Sequence, residues 1–318
     1  MTDKPIRIGV SSCLLGEEVR HDGGHKRDRF VTDQLADFVD YVPTCPEMAI
    51  GLGLPRETIR LEQQDDGSLR LVAPRSGKDH TEAMNQWAAA KAEEIRAQEL
   101  SGYIFKKDSP SCGLHRVKTY KAGHPARRDG RGLFAAALTH HMPLLPVEDE
   151  GRLHDAKIRE NFIERVFAYA RVNRFFQTSW SQGDLVAFHS REKLLLMTHD
   201  PKSYSALGRL VADGKGADKT DLADAYKALF MTAMEKRATP GRHTNALTHM
   251  AGYMKKQMEA VERQEVAAII EEYRQGLTPL IAPMTLLRHL VRRFDVAYLK
   301  DQTYLNPHPK ELMLRNHV

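Results

Sequence analysis

The chain has 318 residues, of which 42% are hydrophobic and 28% are charged. These proportions are typical of an ordinary soluble protein, and the length allows two domains. No window has the length and apolarity of a membrane helix, and the first residues lack the pattern of a secretory signal. We therefore expect a cytoplasmic protein with no membrane partner.

The first 149 residues contain short apolar segments that alternate with helical patterns. The predicted strands are residues 6–12, 40–44, 101–107 and 142–149, and the predicted helices are residues 29–40, 80–100 and 132–141. Residues 61–73, with Asp66-Gly67 as the turn, resemble a hairpin. Because alternating strands and helices are typical of parallel β-α-β units, we expect an α/β domain over residues 1–149, a parallel sheet in a three-layer sandwich.

Residues 150–318 have a different character, with amphipathic segments separated by stretches that contain Gly or Pro. The predicted helices are residues 161–177, 185–199, 204–212, 222–235, 245–276 and 283–294. We therefore expect an all-α domain, with the boundary near Glu148–Gly151.

Charge is distributed unevenly between these two parts. Residues 1–150 carry 21 Lys and Arg against 23 Asp and Glu, whereas the remaining residues carry 26 against 19. A basic helical domain is compatible with an anionic partner such as nucleic acid, and tRNA is one carrier of modified bases. An excess of this size more often reflects ordinary solvation.

The three cysteines of the chain each follow a predicted strand. Cys13 follows residues 6–12, Cys45 follows residues 40–44, and Cys112 follows residues 101–107 by a short loop. Ligands of parallel α/β sheets bind beyond the carboxyl ends of the strands, so we expect the three thiols to converge there. Buried free cysteines that only fill space are the structural alternative.

Three thiolates can hold zinc or an iron–sulfur cluster. Structural zinc sites usually contain CxxC pairs, which this sequence lacks, although His115 or His25 could complete a Cys₃His site. A cluster on three cysteines leaves one iron without a protein ligand, and that iron can act as a Lewis acid on sulfur. The closely spaced cysteine triplet of radical enzymes is absent. Non-redox chemistry is the better interpretation.

Three segments around these cysteines resemble the thiouracil desulfidase family. They are SSCLLG with Arg20-His21-Asp22-Gly23, CPE with GLPR at 53–56, and KKDSPSCG at 106–113. The resemblance covers about residues 5–148, and the second half resembles a helical domain of unassigned function that often follows the first. His21 stands where we expect an aromatic residue more often, so the pocket is expected to differ there.

The resemblance implies a [4Fe-4S] cluster on Cys13, Cys45 and Cys112, with one open iron. It also implies a reaction in which iron polarises the sulfur of a thiouracil, water attacks the ring carbon, and sulfide and uracil are released. A carboxylate beside the cluster could activate that water, and Glu47 is our candidate, with a helix-opening role as the alternative.

Further residues of the matched segments are candidates for the site. Ser109 and Ser111 are candidates for hydrogen bonds to the base or to the cluster sulfides, or for turn stabilisation. Arg20, Asp22 and Arg56 are candidates for reading the pyrimidine edge. Lys106 and Lys107 are candidates for offsetting the negative charge of the cluster, and Lys106 is also a candidate for contacting the substrate. The alternative is that these lysines are simply solvated. The helical half shows no such constellation.

The leading interpretation is an enzyme that desulfurates a small thiolated pyrimidine, 2- or 4-thiouracil or a nucleoside, without net electron transfer. We keep a free base as the preferred substrate because a compact α/β crevice suits a small ligand. The alternatives are a sulfur transferase that acts on tRNA and a zinc- or cluster-containing sensor or RNA-binding module.

Overall fold

The structure, a computed structural model, describes residues 5–317. The chain divides into two compact units, one that ends at Asp155 and one that begins at Ala156. The first unit combines strands and helices and the second is helical, so the predicted fold class is confirmed. No helix within the described range is long and apolar enough to cross a membrane.

The first unit is built on a four-stranded parallel sheet with the strand order β2-β1-β5-β8. Its strands are β1 (Ile6–Ser11), β2 (Val39–Thr44), β5 (Gly102–Phe105) and β8 (Val147–Asp149). The central strands are almost continuously buried, as expected for a parallel sheet that is covered on both faces. The carboxyl ends of β1, β2 and β5, which the three cysteines follow, therefore meet at one edge of the sheet.

A second sheet of four strands has the order β4-β3-β6-β7. Its strands are β3 (Arg60–Gln63), β4 (Leu69–Val72), β6 (Val117–Tyr120) and β7 (Arg127–Gly130). The antiparallel pair β3-β4 is the hairpin that Asp66-Gly67 predicts. The sequence interpretation contained neither β6 nor β7. Both are only four residues long, and β7 is mostly exposed and charged, so no apolar pattern marks them.

The helices of the first unit are α1 (Pro46–Ala49), α2 (Thr81–Ala97) and α3 (Leu133–His141). Helix α2 buries Met84, Ala88, Ala92 and Ile95, which recur at helical spacing on one face, and it packs against α3. The predicted helix over residues 29–40 is a shorter irregular helical segment, because residues 39–44 already belong to strand β2.

The second unit contains eight α-helices among the described residues. They are α4 (Ala156–Gln177), α5 (Gln182–His199), α6 (Pro201–Asp213), α7 (Lys219–Glu235), α8 (Pro240–Met254), α9 (Ala260–Arg274), α10 (Ile281–Arg293) and α11 (Ala297–Lys300). The predicted helical stretch 245–276 is divided between α8 and α9. A reciprocal capping interaction between Glu259 and Glu262 starts α9 and separates it from α8.

A buried ionic network crosses the helical unit. Arg315 Nη2 donates to Glu164 Oε1 at 2.6 Å, and the other carboxylate oxygen of Glu164 lies 3.0 Å from His199 Nε2. All three side chains are almost completely buried. These contacts of Glu164 tie α4 to α5 and to the C-terminal segment.

Candidate functional site

One cavity of about 450 Å³ lies at the carboxyl edge of the parallel sheet and is lined by all three cysteines. Cys13 lies in a helical turn directly after β1, Cys45 precedes α1, and Cys112 lies in the loop after β5. The sheet thus brings together three thiols that lie far apart in the sequence.

The thiols are close enough to influence one another electrostatically. Burial raises the pKa of Cys13 to about 11 and raises the pKa values of Cys45 and Cys112 above their ordinary range. The charge of Cys45 contributes to the raised pKa of Cys13 and of Cys112. Thiolates at these positions therefore need positive charge of the kind that a metal centre supplies.

The loop that carries Cys112 is held by hydrogen bonds and by two glycines. The amide of Cys112 donates to Ser109 Oγ at 3.1 Å, and the amide of Gly113 donates to Ser109 O at 2.7 Å. A Cβ at Gly113 would lie 2.8 Å from Ser109 O, and a Cβ at Gly132 would lie 2.5 Å from Ser111 O. Only glycine permits this close approach, which fixes the position of the Cys112 thiol.

A network of polar side chains centres on Glu47, which lines the same cavity from α1. Glu47 Oε1 accepts a hydrogen bond from Ser111 Oγ at 2.7 Å and lies 3.4 Å from Ser109 Oγ. The two serine hydroxyls are 2.9 Å apart. Glu47 Oε2 accepts from Arg56 Nε at 3.1 Å and from Arg56 Nη2 at 2.6 Å. The three residues that the sequence nominated as catalytic, Glu47, Ser109 and Ser111, are therefore in mutual contact.

The guanidinium of Arg56 donates its hydrogen bonds to other groups of the protein. Besides Glu47, its guanidinium donates to Val19 O at 2.9 Å and to Gly53 O at 3.0 Å, and its side chain is only 5% exposed. With its donors used in this way, the geometry suits a residue that orients Glu47 better than one that reads a pyrimidine edge.

The other nominated substrate residues are placed in different ways. Arg20 lines the cavity and lies 3.4 Å from Asp22, whereas Asp22 is exposed and does not line the cavity. Lys106 lines the cavity, but its Nζ pairs with Glu150 Oε1 at 2.7 Å. Lys107 also lines the cavity.

Sequence reasoning missed several lining residues. They are Ser11, Ser12, Val19, Lys26, Thr44, Thr58 and Ile59. Thr44 directly precedes Cys45 and ends strand β2, so its position beside a ligand candidate was the available signal.

The residues that line the cavity can be compared with the ligands that a zinc ion and an iron–sulfur cluster each require. Within residues 5–317, no three His, Cys, Asp or Glu side chains are arranged to hold a single metal ion. Neither His115 nor His25 lines the cavity, so neither completes a Cys₃His zinc site there. A four-iron cluster does not require its ligands to meet at one atom, because each thiolate binds a different iron. Three cysteines around one cavity therefore fit a cluster better than zinc.

This α/β domain, with three cysteines at its carboxyl edge, belongs to the 2-thiouracil desulfurase family, whose model matches residues 8–150. Residues 193–309 match a second family, described as a protein of unknown function, DUF1722.

Two curated bacterial proteins and one solved structure are similar to the chain. The uncharacterized protein YbgA of Escherichia coli is 33% identical over 153 residues, which cover 48% of this chain and 90% of YbgA. The uncharacterized protein YbbK of Bacillus subtilis is 39% identical over 114 residues, 33% of this chain and 72% of YbbK. A solved structure described as the [4Fe-4S]-dependent thiouracil desulfidase TudS is 30% identical and covers 47% of this chain and 94% of its own, with a TM-score of 0.40.

Proposed function

We propose that this protein removes sulfur from a thiolated pyrimidine by hydrolysis, with a [4Fe-4S] cluster held by Cys13, Cys45 and Cys112. The observation that carries the proposal is that three distant cysteines and the Glu47 network line one cavity. Membership of the 2-thiouracil desulfurase family supports the substrate class. The preferred substrate is a free base or nucleoside, 2- or 4-thiouracil or its nucleoside, because a cavity of about 450 Å³ is of the size that small ligands occupy.

The reaction exchanges one atom of the base. A thiocarbonyl and water give a carbonyl and hydrogen sulfide, with no net change of electrons. A bound cluster with one iron free of protein ligands would supply a Lewis acid that polarises the carbon–sulfur bond. The residues of the chain must then activate water, move its protons and orient the base.

Glu47 is suited to take the proton from the attacking water. Its Oε2 is occupied by Arg56, so Oε1, which faces the two serines, is the oxygen available for proton transfer. Ser111 and Ser109 form a chain of hydroxyls from this oxygen to Cys112, since Ser111 Oγ lies 3.9 Å from Cys112 Sγ. These hydroxyls can accept the proton from Glu47 and hold it along the wall of the cavity.

Cationic side chains also line the cavity. Arg20, Lys106 and Lys107 line it, and Lys106 is fixed both by Glu150 and by the carbonyl of Lys107 at 2.8 Å. These groups are suited to hold the exocyclic oxygen of the base by hydrogen bonds, and so to orient its thiocarbonyl carbon toward the attacking water.

Anaerobic purification and an activity screen test the proposal. We expect a brown protein with about four irons and four sulfides per chain, because a cubane of this type contains that number. The screen compares 2- and 4-thiouracil, their nucleosides and thiolated tRNA, and follows both loss of thiocarbonyl absorbance and release of sulfide. A colourless protein with stoichiometric zinc would favour a sensor, and sulfur gained by tRNA would favour a transferase. Either result would refute the proposal.

Two substitutions separate the cluster from the proton chemistry. Cys112→Ser is expected to abolish both the cluster and turnover. Glu47→Gln is expected to keep the cluster and to lower kcat by about 10²- to 10⁴-fold, the usual contribution of a general base. Glu57→Gln is the matched control, because Glu57 also accepts hydrogen bonds from a serine, Ser76, but lies outside the cavity. An undiminished rate in Glu47→Gln would remove Glu47 from the mechanism.

A further inference from the structure

Glu150 directly follows strand β8, at the edge of the parallel sheet where the three cysteines lie. Because β8 pairs in parallel with β5, its carboxyl end lies beside the loop that carries Cys112. Glu150 is 7% exposed and does not line the cavity. A buried carboxylate needs partners that replace water, and those of Glu150 belong to residues that do line the cavity.

The two carboxylate oxygens of Glu150 hold two successive residues of that loop. Oε1 accepts a hydrogen bond from Lys106 Nζ at 2.7 Å, and Oε2 accepts one from the amide of Lys107 at 2.6 Å. The amide of Glu150 in turn donates to Phe105 O at 3.0 Å, which fixes Glu150 relative to strand β5. The carboxylate therefore holds both the backbone at the start of the loop and the ammonium group of Lys106.

Lys106 is held in the wall of the cavity by three further contacts of its own. Its amide donates to Ser11 Oγ at 3.0 Å, and its Nζ donates to Lys107 O at 2.8 Å as well as to Glu150. An ammonium group has three N–H donors, and two of them are used within the described residues. One donor is therefore left for an acceptor in the cavity that Lys106 lines, and the exocyclic oxygen of a pyrimidine is such an acceptor.

The pair of Lys106 and Glu150 is better explained by position than by stability. The two side chains are 15% and 9% exposed, so both charges are largely removed from water. The cost of removing two charges from water offsets most of their attraction, and apolar side chains of similar volume often stabilise a fold equally well. What this pair supplies is a cation that stays in one place, which a site needs if it is to orient its substrate.

We propose that Glu150 is a positioning residue for the desulfuration, which holds the Lys106 ammonium where it donates a hydrogen bond to the exocyclic oxygen of the thiolated pyrimidine. Glu150 acts through Lys106 and does not itself touch the base. This inference rests on the proposed function. It adds a residue from outside the cavity to those that determine how the base is held.

The substitution Glu150→Gln keeps the size of the side chain and removes its charge. Both oxygens of Glu150 face N–H donors, so a carboxamide can accept from only one of them, and its amino group opposes the other. We expect the KM for 4-thiouracil to rise about tenfold, the effect of losing one hydrogen bond to a charged group. The iron content and kcat should stay at the wild-type values, because an interaction made equally in the bound substrate and in the transition state affects KM alone.

A double variant shows whether Glu150 acts through Lys106. Lys106→Met should raise KM to a similar extent, and adding Glu150→Gln to it should raise KM no further, because the lysine through which the carboxylate acts is gone. Glu148→Gln is the matched control. The Glu148 side chain is also 9% exposed, but it pairs with Arg152 at 2.8 Å, and neither of these two residues lines the cavity. Its KM should equal that of the wild type.

The outcomes are distinguishable. An unchanged KM in Glu150→Gln, in a wild-type background that desulfurates, would overturn the inference and leave the proposed function intact. A further rise in KM when Glu150→Gln is added to Lys106→Met, or an equal rise in Glu148→Gln, would show that the carboxylate does not act through the lysine. Loss of iron from Glu150→Gln would assign it a purely structural role and would also overturn the inference. A wild-type chain that does not desulfurate would overturn the proposed function together with the inference.

Discussion

The ion pair between Arg56 and Glu47 gives the sharpest prediction about how the site is built. The Arg56 side chain is 5% exposed and that of Glu47 is 16% exposed, so both charges are largely removed from water. Arg56→Met removes two hydrogen bonds to one carboxylate oxygen, at 3.1 and 2.6 Å. Loss of one partner of a buried pair costs about 3–5 kcal/mol. We expect about 3 kcal/mol here, because Glu47 is partly exposed and keeps its bond to Ser111.

Removing the charge of Glu47 instead should reduce the free energy of unfolding by a smaller amount. In Glu47→Gln, Arg56 keeps its bonds to the carbonyls of Val19 and Gly53, so we expect a loss of about 1–2 kcal/mol. The double variant combines Arg56→Met with Glu47→Gln, so that no unpaired carboxylate remains at position 47. The double variant should therefore lose less stability than the sum of the losses in the two single variants. The coupling energy should be about 1–2 kcal/mol.

Tryptophan fluorescence can report this domain alone within the full chain. The chain contains two tryptophans, Trp87 on α2 and Trp180 in the helical unit. In a Trp180→Phe background, urea titrations of the cluster-free protein followed by Trp87 fluorescence give the free energy of unfolding of the α/β unit. Losses that add to within about 0.5 kcal/mol would show that the two side chains do not depend on each other and would refute this reasoning.

Three further predictions concern single side chains. Ser111→Ala removes the 2.7 Å bond to Glu47 and should lower kcat for 4-thiouracil while KM changes little, as steady-state kinetics will show. Burial raises the pKa of Asp149 from 3.8 to about 6, so the folded state binds the carboxyl proton more tightly than the unfolded state does. The free energy of unfolding should therefore fall as the pH rises from about 4 to about 6. Asp149→Asn should abolish that fall in urea titrations across this range. Arg315→Met leaves the buried carboxylate of Glu164 without its 2.6 Å partner and should destabilise the helical unit by about 3–5 kcal/mol, measured by thermal unfolding followed by circular dichroism.

The parallel sheet could be predicted because its strands are buried on both faces. Residues 6–12 and 101–107 are apolar segments that end at polar turns, and the structure has strands at Ile6–Ser11 and Gly102–Phe105. The second sheet could be predicted only in part, from the turn at Asp66-Gly67. Strand β7 has the sequence RRDG, which carries charge along an exposed edge and shows no alternation. Its position is determined by pairing with β6, a tertiary effect that no local pattern records.

The candidate site could also be predicted from the sequence only in part. Strand ends indicated that the cysteines would meet, because the topology of a parallel sheet determines where its carboxyl ends lie. Arg56 was predicted to contact substrate because it lies in a matched loop, but its guanidinium turns toward Glu47 and two backbone carbonyls.

The three thiols imply that folding and binding of the proposed cluster are linked in the first unit. Burial raises the pKa values of all three, so that without a metal the thiols keep their protons at neutral pH. A metal centre binds thiolates, so its iron would have to displace these protons. Because such a centre would bind the folded cavity and not the extended chain, its binding energy would contribute directly to the stability of the α/β unit.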